Sequence, residues 1–153
     1  IHKHFPHATF KVIGSDGGTL NEVKSLCERL KINNVVTFYN EMEFSKIEKL
    51  AEKSCFYLQT SLYEGAAMSV MESMRLGLLP VVTPVGEISR YCNDENSVIV
   101  RSNNEAVRDI IMIIDSNERY HYLTENASLK FNSQLSYVES MVKNTEEMVK
   151  KWF

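Results

Sequence analysis

Two glutamates, Glu64 and Glu72, stand eight residues apart in a setting where carboxylates can do chemistry. Glu64 lies in a polar loop after the apolar strand Cys55 to Leu58, and Glu72 lies inside the helix that Gly65 introduces. A helical rise of ~1.5 Å per residue sets the two acids about 12 Å apart along the axis. That is wider than the roughly 5 to 9.5 Å between the carboxylates of a glycosidase pair, so paired-acid hydrolysis is excluded. It suits a ligand with two separate hydroxyl-bearing ends. Between the acids, the free N–H groups of Ala66, Ala67 and Met68 point outward at the helix start, where open amides and the helix dipole favour a diphosphate.

The elements that position this stretch follow from apolar runs and punctuation. Met68, Met71 and Met74, with Val70, mark the apolar side of the central helix, and Gly77 ends it before Pro80-Val81-Val82 starts another buried strand. Strands are expected at Thr9 to Ile13, Val35 to Phe38, Ser54 to Leu58, Leu79 to Thr83 and Ser97 to Val100. A helix with Leu20, Val23, Leu26, Cys27 and Leu30 on one face follows the first strand, and Phe44 to Lys53 forms a shorter one with Ile47, Leu50 and Ala51 inward. After the sheet come helices over Glu105 to Asp115, Glu118 to Lys130 and about 134–152. The last carries Tyr137, Val138, Met141, Val142, Met148 and Trp152 among many charges, an apolar face suited to a partner surface. Strands alternating with helices predict an α/β protein with a doubly wound parallel sheet, Rossmann-like, followed by C-terminal helices.

The glycine-rich turn Gly14-Ser15-Asp16-Gly17-Gly18 follows the first strand and precedes a helix, an arrangement that can aim N–H groups at an anion. Its spacing misses the G-x-G-x-x-G fingerprint, so a nicotinamide cofactor is disfavoured, and the glycines serve a tight turn equally well. Three histidines, His2, His4 and His7, are broken by Pro6 and lack an acidic or cysteine neighbour, which favours a solvated loop over a metal site. Cys27, Cys55 and Cys92 have no metal-ligand spacing, and Cys55 falls in an expected buried strand; a reducing cytosol fits these thiols.

With 153 residues, 44% apolar and 24% charged, the chain suits one globular domain spanning 1–153. A formal charge of −3 without a basic stripe disfavours nucleic acid. No apolar run approaches the ~18 residues of a membrane span. The chain starts at Ile1 and runs directly into a strand, which suggests a piece of a longer polypeptide.

A nucleotide sugar has the shape the two acids imply: sugar hydroxyls at one end, pyrophosphate in the middle, ribose hydroxyls at the other. Glu64-Gly65 through Glu72, then Ser73-Met74-Arg75-Leu76-Gly77-Leu78-Leu79-Pro80-Val81-Val82 and Val85-Gly86, resembles the Glu-x7-Glu signature of the family 4 retaining glycosyltransferases of GT-B fold. The likeness runs from Phe10-Lys11-Val12-Ile13-Gly14 to the C-terminal helix. It implies the C-terminal, donor-binding domain of a two-domain enzyme that transfers a hexose to a glycan or lipid-linked acceptor in surface polysaccharide synthesis. By the resemblance Glu64 meets the donor sugar, Glu72 the ribose, and Gly65, Ala66, Ala67 and Met68 the sugar or diphosphate. Gly14 also belongs to the donor site, and Tyr39, Asn40 and Met42 lie where the base is held. It implies no metal and no cofactor beyond the nucleotide-sugar donor, a missing N-terminal acceptor domain as partner, and a cytoplasmic parent at the inner membrane face.

Departures qualify the likeness. Relatives commonly have Gly-Phe-Gly where this chain has Gly65-Ala66-Ala67, and the Ala67 methyl is expected to narrow the donor's approach. Glu87 directly follows Gly86, with Arg90 beyond it. On spacing alone, a carboxylate at a helix start often only complements the dipole, and a mid-helix glutamate is usually solvated. Two other functions compete: a GT-B-like nucleotide-sugar epimerase, and a binding module whose donor pocket has decayed.

Overall fold

The computed structural model describes residues 1–134 and 137–152. Among the described residues five strands alternate with five helices, and two more helices follow: β1 Phe10–Ile13, α1 Leu20–Arg29, β2 Val36–Tyr39, α2 Phe44–Ala51, β3 Phe56–Gln59, α3 Met68–Arg75, β4 Leu79–Val82, α4 Ile88–Tyr91, β5 Val98–Ile99, α5 Asn103–Ile114, α6 Asn117–Asn132 and α7 Tyr137–Trp152. Every strand pair is parallel. The protein is therefore α/β, as the alternation predicts.

The strands divide into two sheets, β1-β2 and β3-β4-β5, where periodicity implied one continuous sheet. Register within each is regular: Phe10 opposes Val36, Phe56 opposes Leu79, and Val81 opposes Val98. Lys11 of β1 reaches the end of α2, its Nζ donating to the Leu50 and Lys53 carbonyls and to Ser54 Oγ at 2.9 Å.

Almost the whole core belongs to β3-β4-β5. Side chains alternate across a parallel sheet, so β4 buries Leu79 and Val81 on one face and Val82 on the other. The first face packs against Ala106, Ile110 and Ile113 of α5, with Leu123 of α6. The second packs against Val70, Met71 and Met74 of α3, Ile88 and Tyr91 of α4, and Ala127 of α6. Thus α6 covers one face with its first half and the other with its second. Hydroxyl caps start the outer helices, Ser102 accepting from Glu105 N and Ser116 from Arg119 N, which fits their Ser-x-x sequence signals.

Several expectations shift. Helix α3 turns its Val70, Met71, Ser73 and Met74 inward, while Met68 is 64% exposed. Six residues at 3.6 per turn put Met68 and Met74 about 120° apart, too far to share a face. Cys55 precedes β3 and is exposed, since the strand begins at Phe56 and not at Ser54. Tyr39 closes β2 instead of opening its exit loop. On α1 only Cys27 is buried; Val23, Leu26 and Leu30 are largely open. Helix α4, only 4 residues long, is too short for an apolar period to repeat and was not expected. On α7, Met141, Val142, Met148 and Val149 are at least half exposed. Leu135 lies outside the described residues, as do the side chains of Tyr137, Val138 and Trp152.

Candidate functional site

The loop between β3 and α3 is held by hydrogen bonds from four directions. Glu64 Oε1 accepts from Gln59 Nε2 and from the Ser61 hydroxyl, both at 2.6 Å. The Thr83 hydroxyl, just past β4, donates to the Ser61 carbonyl. From beyond β4, Glu87 N donates to the Gly65 carbonyl at 3.1 Å. Tyr91 of α4 donates its hydroxyl toward the Ala66 carbonyl at 2.9 Å and the Ala67 carbonyl at 3.2 Å. Gly86 makes this closeness possible, with φ +54° and a position where an added Cβ would lie 2.9 Å from Glu64 C and Gly65 O. Only a residue without a side chain fits there.

The electrostatics follow from these contacts. The Ser61 hydroxyl, then the Gln59 amide, hold the Glu64 carboxyl below the usual carboxylate range against an opposing effect of burial. Burial, then the charges of Cys92, Glu64 and Glu87, pushes the Tyr91 hydroxyl up to about 12, so it remains a donor. The Tyr57 hydroxyl is also raised, first by burial, with both Glu64 and Glu72 adding to the shift and a Ser69 contact opposing it. Both acids therefore lie near one side chain of β3.

Helix α3 begins at Met68, after Ala67 in a left-handed conformation with φ +46° and ψ +54°. Among the described residues, the amides of Ala66, Ala67 and Met68 donate to no other group, which leaves them open at the helix start. Glu72 is exposed on α3, and among the described residues its carboxylate has no hydrogen-bond or ion-pair partner. Ala67 is 9% exposed and belongs to the core with Val70, Met74 and Tyr91, so its methyl packs inward. Tyr63 is 91% exposed and does not pack beneath the loop. Arg75 pairs with Glu48 at 3.1 Å and lies 4.9 Å from the Phe44 ring centre, tying α3 to α2 instead of standing free.

The remaining expected residues form a separate group on the first sheet. Gly14 N donates to the Tyr39 carbonyl at 3.3 Å, Asn40 is exposed and Met42 is half-buried. Among the described residues no hydrogen bond joins them to the Glu64 loop. The glycine-rich turn is occupied by its own side chain: Asp16 Oδ1 accepts from Gly18 N at 2.7 Å and Leu20 N at 3.2 Å, so a carboxylate already sits at the start of α1. Gln59, Ser61, Ser69, Thr83, Gly86 and Tyr91 were missed as site residues. Gln59, Ser61 and Ser69 lie within five residues of Glu64 in sequence, whereas Thr83, Gly86 and Tyr91 come to the loop through tertiary contacts.

Among the described residues no group of three His, Cys, Asp or Glu could hold a metal ion, and no helix is long and apolar enough to cross a membrane.

Comparison with known proteins gives a family and a fold. The family described as glycosyl transferases group 1 matches residues 1–130. No curated protein sequence matches. Among solved structures, sucrose-phosphate synthase from Thermosynechococcus elongatus aligns with TM-score 0.77 at 16% identity, covering 94% of this chain and 38% of that one. The pneumococcal O-GlcNAc transferase GtfA, in complex with UDP and GlcNAc, aligns at 0.78 and 18%, covering 98% and 30%. The C-terminal domain of a group 1 family protein, LpcC, from Francisella tularensis aligns at 0.73 and 17%, covering 87% and 72%. This chain spans less than half the length of the first two. Identities at this level establish a shared fold.

Proposed function

The chain belongs to the glycosyl transferases of group 1, and from that premise we propose that it is the donor-binding domain of a retaining, family 4 glycosyltransferase. The observation that carries this reading is the clamped Glu64 beside the open amides of α3, with unpartnered Glu72 on the same helix. In this reading the second oxygen of Glu64 accepts hydroxyls of the donor sugar, and Ala66, Ala67 and Met68 seat the diphosphate after the Gly65 turn. Glu72 holds the ribose, and the base lies toward Tyr39, Asn40 and Met42 near Gly14. A UDP-linked hexose is the donor we favour, because GtfA is described with UDP and GlcNAc. The LpcC fragment supports a C-terminal placement, with an N-terminal acceptor domain completing a cytoplasmic enzyme of surface glycan synthesis.

The chemistry assigned to Glu64 is orientation. Two donors on one oxygen and a lowered pKa keep it an ionised acceptor near neutrality, poorly matched to general-base work there. The bond from the sugar's anomeric carbon to the diphosphate breaks, with the departing charge stabilised by the α3 dipole and amides; the acceptor hydroxyl attacks from the same face and passes its proton to the departing diphosphate, so the anomeric configuration is retained. A trapped glycosyl ester on Glu64 would refute this division of roles. The intact clamp also speaks for a working site over a decayed one.

Calorimetric titration with UDP, GDP and ADP tests the reading. One nucleotide is expected to bind saturably, and Glu72→Ala to weaken it about tenfold or more, as hydrogen bonds to a charged group contribute about 1.5–3 kcal/mol. No saturable binding at millimolar concentration, or affinity indifferent to Glu72→Ala, would contradict it.

A further inference from the structure

Gln59 closes β3, and its amide is caught between three side chains. Its Oε1 accepts from the Tyr57 hydroxyl at 2.8 Å and the Ser69 hydroxyl at 2.9 Å, while Nε2 donates to Glu64 Oε1 at 2.6 Å. An amide can present either end to a neighbour, and here two hydroxyl donors on the carbonyl decide which end faces Glu64. What remains for Glu64 is N–H, a donor that favours the ionised carboxylate. The Ser61 hydroxyl takes the same oxygen, so both protein donors converge on Oε1. Oε2 is left for a ligand.

We propose that Gln59 is a positioning residue of this site: held by Tyr57 and Ser69, its amide fixes the Glu64 carboxylate with one oxygen turned toward a hydroxyl-bearing ligand. The role rests on reading Glu64 as the group that orients the donor sugar. It also links the two ends of the donor, because Ser69 stands in the first turn of α3, one residue after the open amide of Met68. The donor–acceptor distance of 2.6 Å is short for an amide nitrogen, as expected when the acceptor is charged. A purely structural glutamine would satisfy polar atoms at the strand end without setting the ionisation of Glu64. A leucine of similar size separates the two roles, since it keeps the packing and removes the donor.

The test is a carbon-detected NMR titration of the Glu64 side-chain carboxyl in the ligand-free chain, comparing wild type with Gln59→Leu, Gln59→Glu and Ser69→Ala. Wild-type Glu64 is expected to titrate below the ordinary glutamate range. Gln59→Leu moves it upward toward that range, and Ser69→Ala moves it in the same direction by less, because one hydroxyl still anchors the amide. Gln59→Glu puts a second carboxylate against the first, so Glu64 titrates in two coupled steps with one displaced upward. The near-isosteric Gln59→Glu carries the test if Gln59→Leu does not fold. An unmoved Glu64 titration in a folded Gln59 variant would overturn the proposal. Titration with UDP and with UDP-N-acetylglucosamine separates this from the broader reading: Gln59→Leu is expected to weaken the sugar nucleotide more than UDP. Failure of wild type to bind either would sink the donor assignment and leave the carboxyl result standing.

Discussion

Helices α1 and α3 end in the same turn, built from different residues. After α3, Gly77 N donates to the Met74 carbonyl and Leu78 N to the Ser73 carbonyl, with Gly77 at φ +74°. After α1, Lys31 N donates to the Glu28 carbonyl and Ile32 N to the Cys27 carbonyl, with Lys31 at φ +56°. Both are Schellman turns, and the left-handed position costs a lysine roughly 1 kcal/mol that glycine avoids. The two regions differ the same way in packing. β4 is buried throughout, whereas in the first unit Val12, Val23, Leu26 and Leu30 are 40–58% exposed. The second sheet is a finished core that carries the Glu64 loop; the first is a thin layer whose Lys11 reaches the end of α2.

The comparison breaks most visibly at the core. Leu79→Ala, at a residue with no exposure, is expected to cost about 2–5 kcal/mol in denaturant unfolding. Val12→Ala, at a residue 45% exposed, is expected to cost about 1 kcal/mol or less. Equal losses would show that the two sheets are packed alike.

Gly86→Ala forces a side chain against the Glu64 and Gly65 backbone at positive φ, with an expected loss of about 1–3 kcal/mol and weakened nucleotide binding together. An unaffected melting temperature would mean that the loop yields easily.

Tyr91→Phe removes the hydroxyl from the Ala66 and Ala67 carbonyls and should cost about 1 kcal/mol. Its pH dependence has a defined sign. A hydroxyl raised from 10.0 to about 12 stabilises the fold fully below pH 10, and that contribution is lost as the pH rises toward 12. The alkaline loss should shrink in Tyr91→Phe. At the opposite sign, Lys31→Gly should stabilise by up to about 1 kcal/mol, measured by the unfolding midpoint.

The smallest effect sharpens the contrast kinetically. A maleimide should label exposed Cys55 first, then Cys27 on the open α1, and Cys92 last, since burial raises the Cys92 thiol to about 11. Cys92 reacting ahead of Cys27 would reverse the ranking of the two units.

What could be read in the sequence was what depends on neighbours along the chain. Gly77 announces a helix end, Leu79 to Val82 reads as a buried strand, and Gly65 to Glu72 reads as a loop and helix start. The division into two sheets could not be read, because pairing between β1 and β3 depends on groups far apart in sequence. The openness of α1 escaped for a related reason: amphipathicity specifies a face but not what covers it. Of the site, Glu64 and Glu72 stood out by spacing, but the hydroxyl of Tyr91 reaches its carbonyls across 24 and 25 residues. The inward turn of the Ala67 methyl needed the backbone angle at that residue, which no sequence pattern supplies.

We propose that the start of α3 seats a nucleotide diphosphate between Glu64 and Glu72. Amide NMR of the isotope-labelled chain titrated with UDP tests it most directly. Saturable shifts are expected at Gly65, Ala66, Ala67 and Met68, extending to Glu72, and lost in Glu72→Ala. Shifts confined to other surfaces such as the Asp16 turn, or none at millimolar UDP, would contradict it.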